Sequence, residues 1–373
     1  MKQGWKKIPF DDSIVKVKYT TKIPSNDYLE QGLYPIVSQE EGLVSGYWDN
    51  ANDVFKVSTP VVIFGDHTRI LKYVDFDFVL GADGVKILQP IESINAKFFK
   101  LYLESCKIPS LGYSRHYKLL KELHVPIPLR EEQERIVAEL DCLSGVIEKK
   151  REQLRELDAL AQSIFYQMFG DPITNEKGWE VKKLGEVANS VNYGTSSPAT
   201  EGGCYTYIRM NNLTYSGYLD LNDVKKIDVS ENEMEKCIVR KGDILFNRTN
   251  SKDLVGKTVL FDLDEEMIIA GYIIRVRVNT DVVLPIYVVR YMNTPFMKTY
   301  FRNLCKGAVN QANINSKELK TIPILMPPLT LQQEFADKIE AIEKQKELIK
   351  QSIAETETLF NARMDYYFNE NAT

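Results

Sequence analysis

The chain repeats itself once along its 373 residues, and this repeat restricts the possible architecture more than any other feature of the sequence. Each copy begins with a Gly-Trp pair, at Gly4-Trp5 and at Gly178-Trp179, and ends in an apolar, proline-rich segment, at residues 125–129 and 322–329. A charged stretch with helical periodicity follows each copy. The sequence therefore predicts the order domain, helix, domain, helix.

Both repeated blocks mix strand and helix signals. Short runs of strand composition, at residues 59–64, 243–246 and 272–278, alternate with Gly and Asn turns. Helical periodicity follows over residues 96–105 in the first block and 286–303 in the second. These patterns predict α+β domains built on a curved, mostly antiparallel sheet, and they leave the strand order open.

The two charged stretches carry a seven-residue apolar pattern. Residues 131–168 lack proline and step by three and four between apolar positions, with Lys150 as the interruption, and the second stretch repeats this with interruptions at Lys346 and Thr356. A helix of roughly 38 residues is about 57 Å long, too long to pack on one domain of this size as an ordinary surface helix, which is the alternative interpretation. We therefore expect the helices to pair antiparallel through a shared seam. The seam residues are Ile136, Leu140, Leu143, Ile147 and Leu154 in the first helix, and Phe335, Ile339, Ile342, Ile349 and Ile353 in the second.

The net charge of −5 is distributed unevenly. Lys plus Arg against Asp plus Glu counts 16 to 15 over residues 1–128 and 20 to 18 over 173–328, but 6 to 10 over 129–172 and 5 to 9 over 329–373. The blocks are thus weakly basic and the helical stretches acidic. This distribution is compatible with nucleic-acid binding by the blocks and does not prove it.

Metal, disulfide and membrane chemistry find no support in the sequence. The five cysteines are scattered and odd in number without a CxxC pair, and there are three histidines, so neither a disulfide framework nor a zinc site is predicted. The chain has neither a signal-like start nor a run of eighteen uncharged apolar residues. We expect a cytoplasmic protein without membrane contact.

Motifs of catalysis are also missing. The sequence contains no Gly-rich phosphate loop, GxSxG elbow or HExxH, nor the Asn/Asp-Pro-Pro-Tyr/Phe run of adenine methyltransferases. His67 or His116 could act as a general base, but neither has a nucleophile or carboxylate partner at a recognised spacing. We predict no catalytic residue, no metal and no cofactor.

Several segments resemble the specificity subunits of type I restriction-modification systems. They are the Pro-Leu-x-x-x-Gln-Glu pattern before each helix, the end of the first helix at residues 165–172, and the re-entry at 178–187. Residues 241–250 and 255–257 resemble a recurrent segment of target-recognition domains, often with Ser in the place of Asn247. The resemblance covers nearly the whole chain.

This resemblance implies a fold, a set of domains and a function. The fold is α+β, with two repeated target-recognition domains separated by two long antiparallel coiled-coil helices. The implied division is 1–129 for the first recognition domain, 130–170 for the first spacer helix, 171–328 for the second domain and 329–373 for the second helix. The chain would bind a bipartite, asymmetric target in double-stranded DNA without catalysis of its own.

The implied partners are methyltransferase and restriction subunits. Two methyltransferase subunits would carry the S-adenosylmethionine site, and a translocating restriction subunit would join them at the target. The alternatives are a coiled-coil scaffold whose blocks bind protein, and a nuclease or methyltransferase in its own right. The salt dependence of DNA affinity separates the scaffold from a DNA-reading protein.

Candidate base-reading residues lie in loops rich in amide and guanidinium groups, which can bond base edges bidentately, whereas Lys mainly contacts phosphates. In the second block the candidates are Asn247, Arg248, Asn250, Lys252, Lys257, Asn310, Gln311, Asn313 and Asn315, and in the first block they are His67, Arg69, Arg115, His116 and Lys118. Residues 58–69 stand where the second block has 241–250, so we expect the two domains to read different half-sites. For any single Asn the alternative is turn chemistry, in which the side chain satisfies nearby backbone.

Overall fold

A computed structural model describes residues 5–82, 84–112, 114–305 and 312–369. The chain forms two compact units, unit 1 from Met1–Glu152 and Lys350–Thr373, and unit 2 from Gln153–Ile349. Each unit therefore combines one repeated block with a part of both long helices.

Unit 1 contains a four-stranded antiparallel sheet, a second sheet with parallel pairs, and a two-stranded ribbon. Its strands are β1 (Lys6–Pro9), β2 (Ile14–Val15), β3 (Lys22–Ile23), β4 (Tyr34–Val37), β5 (Gly46–Trp48), β6 (Val54–Phe55), β7 (Val61–Gly65), β8 (Leu71–Val74), β9 (Phe78–Gly81), β10 (Val85–Pro90) and β11 (His124–Ile127). Its helices are α1 (Ala96–Ser105), α2 (Tyr117–Leu120) and the first part of α3 (Arg130–Phe169). The sheet orders are β2-β10-β7-β8, β3-β9-β4-β5 with β6 also on β9, and β1-β11.

Unit 2 repeats this plan. Its strands are β12 (Glu180–Lys183), β13 (Ala188–Tyr193), β14 (Tyr205–Ile208), β15 (Lys225–Ile227), β16 (Ile238–Val239), β17 (Ile244–Asn247), β18 (Thr249–Asn250), β19 (Thr258–Leu260), β20 (Met267–Ile269), β21 (Ile273–Val278), β22 (Ala312–Asn313) and β23 (Pro323–Met326). Its helices are α4 (Leu184–Val187), α5 (Glu231–Cys237), α6 (Pro285–Met292), α7 (Pro295–Leu304), α8 (Ser316–Lys320) and the first part of α9 (Leu329–Phe368). The sheet orders are β13-β21-β17-β19, β15-β14-β20-β16, β12-β23 and β18-β22.

The predicted α+β class and its repetition are confirmed. In both units the strand after the Gly-Trp pair is antiparallel to the strand before the long helix, β1 with β11 and β12 with β23. In both, a four-stranded antiparallel sheet is accompanied by a second sheet. The second sheets contain the parallel pairs, β9 with β3 and β4 in unit 1 and β14 with β20 in unit 2. The strand pairing is therefore mostly antiparallel, as expected.

One predicted helix is divided in the structure. Residues 96–105 form α1 as expected, but the periodic stretch 286–303 forms two helices, α6 and α7. Pro295 ends the continuity because it has no amide hydrogen to donate to the preceding turn. Thr294 precedes it as the N-cap of α7, and its hydroxyl accepts a hydrogen bond from the Met297 amide at 3.4 Å. The chain therefore turns where a single helix was predicted.

The long helices pair antiparallel within each unit. In unit 1, Glu139 on α3 contacts Arg363 on α9, and further along α3 Lys150 donates to the Ser352 carbonyl at 3.4 Å. In unit 2, Lys346 lies 2.6 Å from Asp158, and the rings of Phe165 and Phe335 are 5.7 Å apart. In both units the partner number falls as the α3 number rises, so the predicted antiparallel pairing is confirmed.

Two buried glutamines join the long helices to their own blocks. The Gln133 Oε1 accepts from the Asn95 amide at 2.7 Å, and its Nε2 donates to the Ser93 and Pro128 carbonyls at 2.9 Å each. Gln332 makes the same set of contacts in unit 2. Its Oε1 accepts from the Leu284 amide at 2.8 Å, and its Nε2 donates to the Val282 and Pro327 carbonyls at 3.5 and 2.9 Å. Both glutamine side chains are fully buried.

The glutamine of the second repeat that corresponds to Gln133 in the structure is one residue away from the glutamine that the sequence pattern aligns with it. The Pro-Leu-x-x-x-Gln-Glu pattern places Gln333 in the position of Gln133. In the structure Gln332 takes this position, counted from Pro327, while Gln333 is exposed and donates to Asp337 at 2.9 Å. Because Pro328 also fits the sequence pattern, the pattern alone does not reveal that the two repeats are offset by one residue.

Replacing Gln332 by Leu should destabilise unit 2. The change leaves the Leu284 amide and the Pro327 carbonyl buried without a hydrogen-bond partner, and each such group costs on the order of 1–3 kcal/mol. We expect a loss of about 2–4 kcal/mol, measured as a lower urea midpoint of the full chain. Gln333→Leu is the matched control, with a change within about 0.5 kcal/mol. Equal midpoints for the two variants would contradict the assigned role of Gln332.

Candidate nucleic-acid interface

The 247–257 segment of unit 2 leaves the central strand β17 and is held on both sides. The Arg248 amide donates to the Tyr272 carbonyl at 3.0 Å, and β18 pairs with β22. The Gly256 amide returns to the Asn247 carbonyl at 3.0 Å. The backbone of the segment is therefore fixed at both of its ends.

Asn247 points into the protein. Its side chain is 0% exposed, its Oδ1 accepts from the Asn250 Nδ2 at 3.3 Å, and its Nδ2 has no hydrogen-bond partner within the described part of the chain. A buried amide cannot reach a base edge unless the segment opens. We therefore leave Asn247 out of the residues that we propose to contact DNA.

Arg248 and Asn250 are half-buried and engaged with neighbours. The Arg248 guanidinium lies 4.9 Å from the centre of the Tyr193 ring, and its Nη1 donates to the Gly271 carbonyl at 3.3 Å. The Asn250 Oδ1 accepts from the Ser251 amide at 2.8 Å, which is the turn chemistry considered as the alternative. Of the other donors of the Arg248 guanidinium, the Nε–H is buried and has no hydrogen-bond partner among the described residues.

The remaining polar candidates of unit 2 divide by exposure. Lys252 and Asn313 are exposed, and Lys257 is half-buried, where desolvation lowers the pKa of its ammonium group. The Asn315 side chain caps α8 through the Lys317 and Glu318 amides, so its role is structural. Asn310 and Gln311 lie outside the described residues.

His116 is a structural residue in unit 1. Its side chain is fully buried, its Nδ1 lies 2.9 Å from the Asp66 carbonyl, and its Nε2 accepts from the Leu111 amide at 2.9 Å. Because Nε2 is an acceptor, the ring is neutral and Nδ1 carries the proton. We therefore leave His116 out of the proposed DNA contacts as well.

The other candidates of unit 1 come together around this histidine. The turn between β7 and β8 contains His67 and Arg69, and the Arg69 Nη1 donates to the Ile108 carbonyl at 3.0 Å. The Tyr117 amide donates to the Asp66 carboxylate at 2.7 Å, which brings the segment with Arg115 and Lys118 to the same turn. Arg69, Arg115 and Lys118 are exposed, and His67 is half-buried. Unit 1 thus presents a small group of cations beside His116.

His116→Phe should loosen this group. The variant removes two buried hydrogen bonds, each contributing about 1 kcal/mol, so we expect unit 1 to lose about 2 kcal/mol. Amide hydrogen exchange at residues 66–70 should accelerate, and the unfolding midpoint should fall. His124→Phe serves as the control because His124 is exposed on β11. Unchanged exchange at residues 66–70 would refute the anchoring role of His116.

Two further cations, Lys298 and Arg302, lie on α7, and no sequence motif marks them. Lys298 is 6% exposed, its Nζ lies 3.4 Å from the Gly256 carbonyl, and Arg302 follows one turn later. Burial, with repulsion from Lys257 and Arg302, lowers the pKa of Lys298 to about 7. The spacing of four residues places both cations on one helix face, and this was the available signal.

The helix seams are apolar with polar clusters inserted. Ile136, Leu140, Ile147, Phe335, Ile339 and Ile342 are buried, and Leu143, Leu154, Ile349 and Ile353 are half-buried. Lys346, an interruption of the pattern, is 3% exposed and contacts Asp158, Tyr218 and Glu343 in unit 2. In unit 1 the corresponding polar contacts join Arg363, Glu139 and Tyr367.

Other classes of site find little in the described residues. No group of three or more His, Cys, Asp or Glu side chains in them is arranged to hold a metal ion. All five cysteines are free. None of the helices within the same ranges is both long enough and apolar enough to cross a membrane.

A known family matches most of the chain. The model of the family described as "Type I restriction modification DNA specificity domain" matches residues 2–158 and 176–358. The two matched stretches correspond to the two repeated blocks with most of the helix that follows each.

Two curated relatives are identical to the chain at about a quarter and a fifth of the aligned residues. It is 25% identical over 267 residues to the EcoKI type I restriction enzyme specificity subunit of Escherichia coli K12, a match covering 66% of this chain and 57% of that protein. It is 21% identical over 407 residues to the StySPI type I restriction enzyme specificity subunit of Salmonella potsdam, covering 96% and 86%. The first match thus spans little more than half of the E. coli protein.

Solved structures share the fold. The S subunit of a type I restriction-modification system from M. genitalium aligns with a TM-score of 0.58 and 14% identity, over 98% of this chain and 97% of that one. A chain from a study of complex assembly and conformational transition of the type I restriction-modification system aligns with a TM-score of 0.56 and 18% identity, over 100% and 99%. The fold found here therefore extends over the full length of both structures.

Proposed function

Because the chain belongs to the family of type I restriction-modification DNA specificity domains, we propose that it selects the DNA target of such a system. In this proposal each unit binds a few base pairs of double-stranded DNA, and the target is bipartite and asymmetric. The observation that carries the proposal is the repetition of one α+β plan in two units whose exposed polar residues differ. Two non-identical reading surfaces on one chain call for two non-identical half-sites.

The exposed polar residues of each unit support this assignment. In unit 2, Lys252 and Asn313 are exposed, with Arg248 and Lys257 half-buried beside them. In unit 1 the corresponding set is Arg69, Arg115 and Lys118, gathered around the buried His116. Arg and Asn can discriminate bases through paired hydrogen bonds, whereas the Lys residues fix the protein on the phosphates.

We assign no chemical step to this chain. The titratable groups of the polar clusters in the seams are engaged in internal contacts, Lys346 with Asp158 and Arg363 with Glu139. Both ring nitrogens of His116 are engaged in hydrogen bonds, Nδ1 with the Asp66 carbonyl and Nε2 with the Leu111 amide. Catalysis would then belong to the methyltransferase and restriction subunits with which the chain associates.

The outer faces of the helices are the proposed docking sites for the methyltransferase subunits. They are rich in acid, which disfavours contact with DNA, and they also expose leucines, among them Leu160 at 47%, Leu348 at 68% and Leu359 at 50%. Exposed apolar side chains within a charged face suit a protein partner better than a nucleic acid.

The direct test is the methylation pattern of a host genome. Single-molecule sequencing would compare a host that expresses this chain together with its methyltransferase partner against a host that expresses the partner alone. We expect methylated adenines in a split, asymmetric motif that appears with this chain. A contiguous six-base motif would contradict the bipartite target. Unchanged methylation in a host where both proteins accumulate would favour the scaffold alternative.

Substitutions in one unit should relax one half of the motif. Asn313→Ala in unit 2 and Arg115→Ala in unit 1 each remove a proposed base contact, which is worth about 1–3 kcal/mol of discrimination. We expect about 10-fold or greater loss of preference at one position of one half-site, a different half for each variant. The same methylation assay gives the result. Relaxation of both halves by one variant would refute the assignment of one unit to one half-site.

A further inference from the structure

Helix α7 packs against the 247–257 segment through Lys298 and Phe301. Gly256 has a φ of +80°, and a Cβ atom at this position would come within 2.4 Å of the Phe301 ring on α7. The Gly256 carbonyl is also 3.4 Å from the Lys298 Nζ. Contact with α7 therefore fixes the backbone that precedes Lys257.

Tyr215 joins the two cations of α7. The Lys298 Nζ lies 4.6 Å from the centre of the Tyr215 ring, and the Arg302 Nη2 donates to the Tyr215 hydroxyl at 2.9 Å. Lys298 also faces a cavity of about 260 Å³, lined in addition by Ser216 and Thr294. Lys298 therefore borders an open cavity although most of its surface is buried.

Among the residues that the structure describes, these cations have no neutralising partner. No carboxylate there forms an ion pair with Lys257, Lys298 or Arg302, and the charges of Lys257 and Arg302 both repel Lys298. Asp158, which borders the same cavity, is already paired with Lys346 at 2.6 Å. Bringing like charges together under partial burial costs free energy unless an anion compensates for it.

We propose that Lys257, Lys298 and Arg302 form a site for a phosphate group of the DNA backbone, beside the 247–257 segment. The inference rests on the proposed function, since it takes DNA as the source of the phosphate. A phosphodiester carries one negative charge on two free oxygens, which suits a mixed set of ammonium and guanidinium donors. Bound there, it would fix the register of the segment while the exposed Lys252 and Asn313 remain available.

This site makes a prediction that base contacts do not make. Each phosphate neutralised by the protein contributes a slope of about −0.9 to the dependence of log affinity on log salt concentration, whatever the base sequence. Loss of the site should therefore weaken binding to all duplexes by a common factor and flatten the salt dependence. Loss of a base contact should alter the preference among sequences and leave the slope unchanged.

The experiment measures binding of the full chain to fluorescent duplexes of several unrelated sequences between about 50 and about 200 mM KCl. The variants are Lys298→Met, which keeps the length of the side chain, and Arg302→Gln. Two variants serve as controls. Lys298→Arg keeps the positive charge at position 298, and Lys344→Gln removes a cation on α9 that is 74% exposed and paired with Glu340. The unfolding midpoint of each variant identifies any loss of folding.

The site requires a slope smaller in magnitude by about 1 for the Lys298→Met, Arg302→Gln double variant, with about 5- to 10-fold weaker binding at the lowest salt on every duplex. Lys298→Arg and Lys344→Gln should match the wild type. An unchanged slope in a folded double variant would overturn the site. If the wild type itself shows no salt-dependent binding, the proposed function fails first.

Inorganic phosphate is the second arm, because a free anion could occupy the same cations. If a DNA phosphate is the ligand, inorganic phosphate at constant ionic strength should compete with DNA for the wild-type protein. The double variant should show no such competition. If phosphate stabilises the wild type and not the double variant, while DNA affinity and slope are equal in both proteins, the cations form a site for the free anion and the DNA site is overturned.

Discussion

The amide side chains of Gln133 and Gln332 are the contacts on which the rest of the architecture depends. Each stands within the first turn of a long helix, is fully buried, and satisfies one amide and two carbonyls of its block. Without the glutamine side chain these backbone groups of the block would lose their hydrogen-bond partner, and each buried unsatisfied group would cost on the order of 1–3 kcal/mol. The glutamines therefore set the direction in which each helix leaves its block, and the apolar seams continue from that direction.

Polar clusters then distinguish one half of the helix pair from the other. In unit 2 the cluster joins Lys346 of α9 to Asp158 of α3 and to Tyr218 of the block, so that helix register and block position are coupled. In unit 1 Arg363 and Tyr367 of α9 meet Glu139 of α3. Two helices that pair through an apolar seam alone can slide past each other by one heptad. A slide that separates a buried lysine from its carboxylate strongly destabilises the pair. Because the two clusters differ in residue type, each half of α3 pairs with only one half of α9.

Much of the fold followed from the sequence, because it rests on local patterns. The Gly-Trp repeat, the periodic stretch that became α3, and the bounds of α1 all needed information within a few turns of chain. Pro295 is a local signal for the division of residues 286–303, and the prediction of a single helix there is wrong. Strand order and the parallel pairs required long-range contacts that no local pattern contains.

The candidate sites were less predictable for the same reason. Asn247 and His116 have the residue types of a DNA-reading surface, yet both are buried, and burial depends on segments far away in sequence. The polar role of Lys346 could be anticipated only as an interruption of the heptad pattern. Lys298 sits on a helix that looked amphipathic and ordinary, and its neighbours Gly256 and Tyr215 are more than forty residues distant.

The glutamine contacts have a consequence for how such a chain can diversify. Every partner of Gln133 and Gln332 is a backbone atom, so the contact is indifferent to which side chains the block carries at those positions. Any block that offers one amide and two carbonyls in the same geometry can receive the same helix. Because the junction uses only backbone atoms of the block, one whole block can replace another by recombination without any change in the helices.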